Sequence, residues 1–258
     1  MHDRKVSRII TPGTLVDENF IDPFTNNYVL AIHTKDSVQG DNAQEPDSSL
    51  SKCANMTLGL AWLDLSTGHF FTQSTTLSAL PSFLARIGPR EIVLDEDLQT
   101  SKEHGLFAVL VEDHYLITYM ATSEVTPIAE WSSMLESPVL AKTVDEFLPQ
   151  EVAAGSALLK YVETRLQRSN MKLQPPSRQL NVMGIDKNTM TALEIRRTLR
   201  DGLFAGSLLH TVRRTVTQGG ARLLDRWLSE LCLFEEMILI LTSSQLLHQH
   251  QSRLSTHD

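Results

Sequence analysis

The chain has 258 residues, 41% hydrophobic and 21% charged, with a formal net charge of −8. That composition suits one large or two modest soluble domains with a buried core, and the terminal apolar cluster Met237 to Leu241 is far too short to cross a bilayer. Residues Met1 to Ile10 hold no secretory-type apolar run. The cysteines Cys53 and Cys232 stand far apart without a Cys-x-x-Cys pattern, so reduced thiols in an intracellular compartment are expected.

Charge is divided unevenly along the chain. Residues 1–150 carry 9 Lys+Arg against 21 Asp+Glu, a net −12, whereas residues 151–258 carry 14 against 10, a net +4. The first part is a poor match for a phosphate backbone and the second a better one.

In chain order, Thr11-Pro12-Gly13-Thr14 reads as a turn. Tyr28-Val29-Leu30-Ala31-Ile32 and Leu58-Gly59-Leu60-Ala61-Trp62-Leu63 are continuous apolar strands, separated by a polar loop from Asp36 to Asn55. Gly68 turns the chain into a third strand, His69 to Gln73. These three lie too close in sequence for crossover helices, so they are expected to pair antiparallel. Leu77, Leu80, Leu84 and Ile87 recur at helical spacing. A strand Glu91 to Leu94, a helix Lys102 to Val111 and a short strand Leu116 to Met120 follow, which makes a mixed α/β sheet.

From Val144 the pattern turns helical, to Gln167, with a weak point expected at Gly155. After the Pro175-Pro176 break and a short extended run, Gln179 to Ile185, Asp186 is expected to cap a helix through Arg200. Its face carries Ala192, Ile195 and Leu199, and Gly202 stops it. A short helix, Ser207 to Arg214, leads to Gly219-Gly220. Leu223, Leu224, Trp227, Leu228 and Leu231 then form the strongest amphipathic stripe in the chain, read as core-facing.

Three segments in this order resemble the MutS family of DNA mismatch repair proteins. They are Arg8-Ile9-Ile10-Thr11-Pro12-Gly13-Thr14-Leu15; then Leu63-Asp64-Leu65-Ser66-Thr67-Gly68 with Pro89-Arg90-Glu91-Ile92-Val93-Leu94; and Met183-Gly184-Ile185-Asp186 running on to Gly219-Gly220-Ala221-Arg222-Leu223-Leu224-Asp225-Arg226-Trp227-Leu228. Ala192 and its neighbours look more like fungal mitochondrial homologues than bacterial ones. The resemblance implies an RNase H-like mixed-sheet connector followed by the first helices of an all-α core, with four parts. Residues 1–26 would be the exit segment of the mismatch-recognition domain, 27–143 the connector, 144–229 the start of the core, and 230–258 a divergent tail, possibly read out of frame. Residues after Pro175 are expected to be loose.

The resemblance further implies that the intact protein binds mismatched double-stranded DNA and uses ATP and Mg²⁺. It implies a MutS-type dimer partner and a MutL-type protein, and a mitochondrial or nuclear location without a membrane. No Phe-x-Glu element precedes the tail, and no Gly-Lys pair of a nucleotide-binding loop occurs in the sequence. No cofactor, metal or enzymatic activity is therefore expected of this chain itself.

Candidate DNA contacts are Arg196, Arg197, Arg200, Arg213, Arg214 and Arg222, with Arg226 nearby. The plainer alternative is solvated helix faces and intramolecular pairs. Asp64, Glu91 and Asp95 suggest a metal-dependent nuclease, against the preferred reading that Asp64 begins a turn and the other two flank a strand. His248 and His250 are a weak metal pair. A stand-alone interaction module of the repair machinery is the remaining alternative.

Overall fold

In the computed structural model, which describes residues 9–15, 22–34, 56–100, 104–121, 124–166, 172–179 and 185–229, the two apolar runs lie side by side at the centre of a sheet. Strands β1 (Tyr28–Thr34), β2 (Thr57–Asp64) and β3 (His69–Thr76) pair antiparallel as expected, with Tyr28 opposite Asp64 and Asp64 opposite His69. After helix α1 (Leu80–Ile87), strand β4 (Glu91–Asp95) joins β1 in parallel. Helix α2 (Asp97–Thr100) and helix α3 (Gly105–Glu112) lead to β5 (Ile117–Met120), parallel to β4.

A 3₁₀ turn at Ile128–Ser133 and one helical turn, α4 (Ala141–Val144), precede the long helix α5 (Pro149–Leu166). The short strand β6 (Ser177–Arg178) then adds to β3 in parallel, giving the order β5-β4-β1-β2-β3-β6. Helices α6 (Lys187–Ala192), α7 (Leu208–Val212) and α8 (Gln218–Ser229) complete the described chain.

The middles of the central strands are apolar on both sides, Val29 to Ile32, Leu58 to Leu63 and Ile92 to Leu94, because both faces of the sheet are covered. Val29, Ala31, Ala61, Leu63, Phe70 and Val93 point to a layer built by α5 (Leu158, Leu159, Val162) and Trp131. Their alternate neighbours Leu30, Leu60, Trp62, Phe71, Ile92 and Leu94 meet Leu80, Leu84 and Ile87 of α1 and Leu106 and Leu110 of α3. The period-two alternation is thus present, but it divides one apolar set from another instead of apolar from polar.

Several expectations need correction. Gly155 is not a weak point, since α5 runs unbroken through it and a Cβ there would lie 2.4 Å from the Trp131 ring. The glycine is a close-approach site that lets the indole sit on the helix. Helix α5 packs across β1, β2 and β3, so the expected change of domain at 143/144 is not where the packing changes.

The helix begun by Asp186 ends at Ala192, well short of Arg200. Asp186 does cap it, accepting from the Thr189 N–H at 3.0 Å. Glu194 then takes a left-handed φ of 50°, and the Glu194 and Ile195 carbonyls accept from the N–H groups of Leu208 and Leu209. Tertiary pairing overrides the helical pattern: Ile195 is buried, whereas Ala192 and Leu199 are exposed. Gly202 is left-handed, but it closes a turn by donating to the Thr198 carbonyl instead of ending a helix as expected.

On α8 the buried residues are Ala221, Asp225 and Ser229, while Leu223 and Trp227 are 37% and 38% exposed. The amphipathic stripe therefore does not face this core. Residues 186–229 are also not loose: they are fastened to α1 and to the N-terminal segment, as described below. Cys53, Cys232, His248, His250, Leu231, the polar loop from Asp36 and the whole 230–258 tail lie outside the described residues.

Two glycines test this packing. Gly59 on β2 lies under the first turn of α5, where an added Cβ would stand 2.0 Å from the Gln150 carbonyl oxygen. Gly59→Ala is expected to destabilise the fold by about 3 kcal/mol. Gly219→Ala, with open space around it, should be neutral or stabilising by up to about 1 kcal/mol. Urea unfolding of the two variants checks both.

Candidate functional site

The residues with the least exposure and the most chemistry converge where the N-terminal segment meets the sheet and the helices. Three buried carboxylates lie there, and each accepts a hydrogen bond from the N-terminal segment. Glu91, at the start of β4, accepts from the Gly13 N–H at 3.1 Å through Oε2. Its Oε1 accepts from the Tyr161 hydroxyl of α5 and the Thr118 hydroxyl of β5, both at 2.5 Å. Glycine is required at position 13, because a Cβ would come within 2.9 Å of Glu91 and Val29. Burial, and then the bond donated to Glu91, raise the Tyr161 pKa above its ordinary value and keep the phenol a donor.

Asp64, at the end of β2, accepts from the Asn27 N–H at 3.1 Å through Oδ2. Its Oδ1 accepts from the Ser66 N–H and hydroxyl at 2.8 and 2.6 Å, and the Asp64 carbonyl closes the turn to Gly68. The turn reading of Asp64 therefore holds. Asp225, one turn from the end of α8, accepts from the Asn26 amide at 3.3 Å. Arg196 grips the same carboxylate with two bonds, Nε to Oδ1 at 2.7 Å and Nη2 to Oδ2 at 3.2 Å.

A third arginine nitrogen, Nη1, donates to the Ala85 carbonyl in the last turn of α1, 3.2 Å away. That places a cation at the negative end of α1. The helix ends at left-handed Gly88, where a side chain would crowd Arg196 Nη1 at 2.9 Å. One arginine thus joins α1, α8 and the N-terminal segment.

The six arginines proposed as DNA contacts separate into two groups. Arg196 is committed as described. Arg222 donates to the Pro23 carbonyl at 2.9 Å and to the Ser66 hydroxyl at 2.8 Å. Arg213 lies over the rings of Phe24 and Phe204, at 5.2 and 5.0 Å from their centroids. Arg197, Arg200 and Arg214 are exposed. Arg226 lies over the Phe71 ring, 5.7 Å from its centroid. Half the set thus serves internal cohesion.

The three acids raised as nuclease candidates are not brought together. Asp64 and Glu91 stand at one end of the sheet with their oxygens committed to protein donors. Asp95 lies at the other end of β4, with His33 at 3.8 Å. Among the described residues no group of three or more His, Cys, Asp or Glu is placed to hold a metal ion.

Sequence reading passed over Asn26, Asn27 and Tyr161, whose importance comes from contacts 37 to 199 residues away in the chain. It also passed over Glu151 of α5, fully buried, which takes two bonds from Arg178 Nε at 2.8 and 3.1 Å and fastens β6 to the helix.

His69 sits beside this junction, its ring stacked on Phe71 and its Nδ1 2.8 Å from the Thr67 hydroxyl. Burial lowers its pKa, Arg226 and Arg222 lower it further, and Asp64 opposes them.

A family model described as MutS domain II matches residues 48–174. The chain is 35% identical over 232 residues to a "DNA mismatch repair protein MutS" of Rhodopseudomonas palustris (strain BisA53), covering 88% of this chain and 23% of that protein. It is 30% identical over 256 residues to a protein of the same description from Wolbachia pipientis wMel, covering 97% of this chain and 28% of the other. A third, from Microcystis aeruginosa, is 29% identical over 240 residues. The chain spans about a quarter of the length of these relatives.

Two outcomes are expected. Asp225→Asn strips the charge from the Arg196 pair, whose side chains are 27% and 10% exposed, and should cost about 2 kcal/mol. Limited proteolysis should then cut residues 196–229 before the sheet. For His69 the folded pKa lies below that of the unfolded chain, so the unfolded state takes up the proton first as pH falls. Its contribution to stability is complete above about pH 6.5 and is lost as the solution is acidified below that value. His69→Gln should flatten the decline of stability between pH 7 and 5, measured by urea unfolding at each pH.

Proposed function

We propose, given that this chain is MutS-family sequence with a domain II at residues 48–174, that it acts as the connector of a DNA mismatch repair protein. In this reading it fixes the N-terminal segment against the first part of a helical core. The observation that carries the reading is the Asp225 carboxylate of α8, shared by Asn26 of the N-terminal segment and Arg196 of the helical segment. A displacement of either segment breaks bonds in the other. This is the mechanical property a connector between two working parts needs.

The finer features belong to the same proposal. The sheet, three antiparallel strands followed by parallel ones, is assigned to the RNase H-like class, and residues 186–229 to the start of an all-α core. Mismatched duplex DNA, ATP with Mg²⁺, a MutS-type dimer partner and a MutL-type protein are assigned to the whole protein. Ala192 and its neighbours favour a fungal mitochondrial homologue, with a mitochondrial location. This chain supplies the coupling, and we assign no catalytic residue to it. The nuclease alternative finds no support in the placement of Asp64, Glu91 and Asp95.

A chimera tests the reading. The matching region of the Rhodopseudomonas palustris relative is replaced by residues 9–229, and the chimera is expressed in a strain lacking its own MutS. The mutation rate should fall toward wild type, and Asp225→Asn in the chimera should raise it again. A soluble, stable chimera that leaves the rate at the deletion level contradicts the assignment.

A further inference from the structure

Arg213 differs from the other arginines of the junction. Arg196 and Arg222 direct their N–H groups at carboxylate, hydroxyl or carbonyl oxygens. The Arg213 guanidinium lies over two aromatic rings, Phe24 at 5.2 Å and Phe204 at 5.0 Å from their centroids, and among the described residues it has no oxygen partner. Contact with rings uses the charge of a guanidinium without using its in-plane N–H donors, and those donors are what engage an oxyanion with paired bonds.

The backbone that carries each ring is fixed by hydrogen bonds. Phe24 is presented by a turn in which its N–H donates to Asp22 Oδ1 at 3.0 Å and the Thr25 N–H donates to the Asp22 carbonyl at 3.2 Å. Phe204 follows a turn closed between Thr198 and Leu203, whose N–H groups each donate to the other residue. The His210 ring packs edge-on against Phe204 at 5.4 Å, and its Nδ1 accepts from the Gly206 N–H at 3.2 Å.

Arg213 opens into a cleft of about 870 Å³ between the N-terminal turn, the end of α1 and the 187–213 segment. Two of the cations in its walls are already matched: Lys187 lies 2.8 Å from Asp113, and Arg196 holds Asp225. Among the described residues, the remaining lining charges are Arg90, Arg197 and Arg213 against Asp22. That described set, three cations against one acid, favours a multiply charged anion over a single carboxylate.

We propose that this cleft is a phosphate-binding site in which Arg213, packed against Phe24 and Phe204, is the fork and Arg197 and Arg90 supply supporting charge. The ligand class is a phosphoryl group, either on a free phosphate compound or on a nucleic-acid backbone. The proposal stands independently of the connector reading, since the two use different arginines.

The test uses the 258-residue chain with inorganic pyrophosphate and with a short perfectly paired DNA duplex, followed by calorimetry at low and at physiological salt. At least one probe should bind. Arg213→Gln should weaken that binding by about tenfold or more. Arg213→Lys, which keeps the charge but loses the planar fork, should weaken it nearly as much. Lys160→Gln, which removes an exposed cation of α5, should leave it unchanged. Phe204→Leu serves if Arg213→Gln does not fold: it keeps the arginine, removes one packed ring, and should give an intermediate loss.

Pyrophosphate binding that depends on Arg213 identifies a free phosphate ligand. Duplex binding that depends on Arg213 and falls with salt, without pyrophosphate binding, identifies a backbone phosphate. The proposal is overturned if neither probe binds, if Arg213→Lys binds as the wild type does, or if a glutamate-rich peptide binds at Arg213 while both phosphates fail.

Discussion

A carboxylate removed from water has to be given donors, and this requirement organises the molecule. Glu91 and Asp64 are fully buried and Asp225 nearly so, and for each of them part of the donor set comes from residues 13–27. Among the described residues, Glu91 Oε2 and Asp64 Oδ2 accept only from the N-terminal segment, and Asp225 Oδ2 is shared between that segment and Arg196. Once that segment is seated, Arg196 finds Asp225 already oriented and can reach the exposed carbonyl end of α1. The junction is therefore built from interdependent polar bonds, with the two hydrophobic layers of the sheet as its rigid support.

This arrangement explains why the charge asymmetry of the sequence does not translate into a simple basic face. The cations of the second part find partners in both parts: Lys187 with Asp113, Arg222 with Ser66 and Pro23 and Arg196 with Ala85 in the first, and Arg196 with Asp225 and Arg178 with Glu151 within the second. What remains exposed on the helical segment is Arg197, Arg200 and Arg214, beside apolar residues such as Leu199 and Val216. Helix α8 follows the same logic, burying Asp225 and Ser229 toward the junction while Leu223 and Trp227 stay half exposed. A polar contact network, and not the apolar stripe, decides which face of this helix docks.

The sheet was legible from sequence because its signals are local. Continuous apolar runs, the Asp64 to Gly68 turn and the spacing of Leu80, Leu84 and Ile87 each predict the element that forms. The helical segment was less legible because its outcome rests on distant partners. The run from Asp186 to Arg200 has a helical pattern, yet Glu194 breaks it so that its carbonyl and that of Ile195 can pair with Leu208 and Leu209. Gly155 looked like a breaker because its actual purpose, room for Trp131, lies outside its own helix. Asn26 and Asn27 carry no motif at all; only the partners at Asp225 and Asp64 reveal them.

The central claim is that residues 13–27, the sheet and α8 form one cooperative unit held by buried carboxylates. Native-state hydrogen exchange of the intact chain tests it most directly, read at the Gly13 and Asn27 amides, in α8 and in β2. The account predicts that all four sites open together, with protection matching that of β2 and lost together in Asp225→Asn. Rapid exchange at Gly13, Asn27 and α8 while β2 stays protected would contradict it.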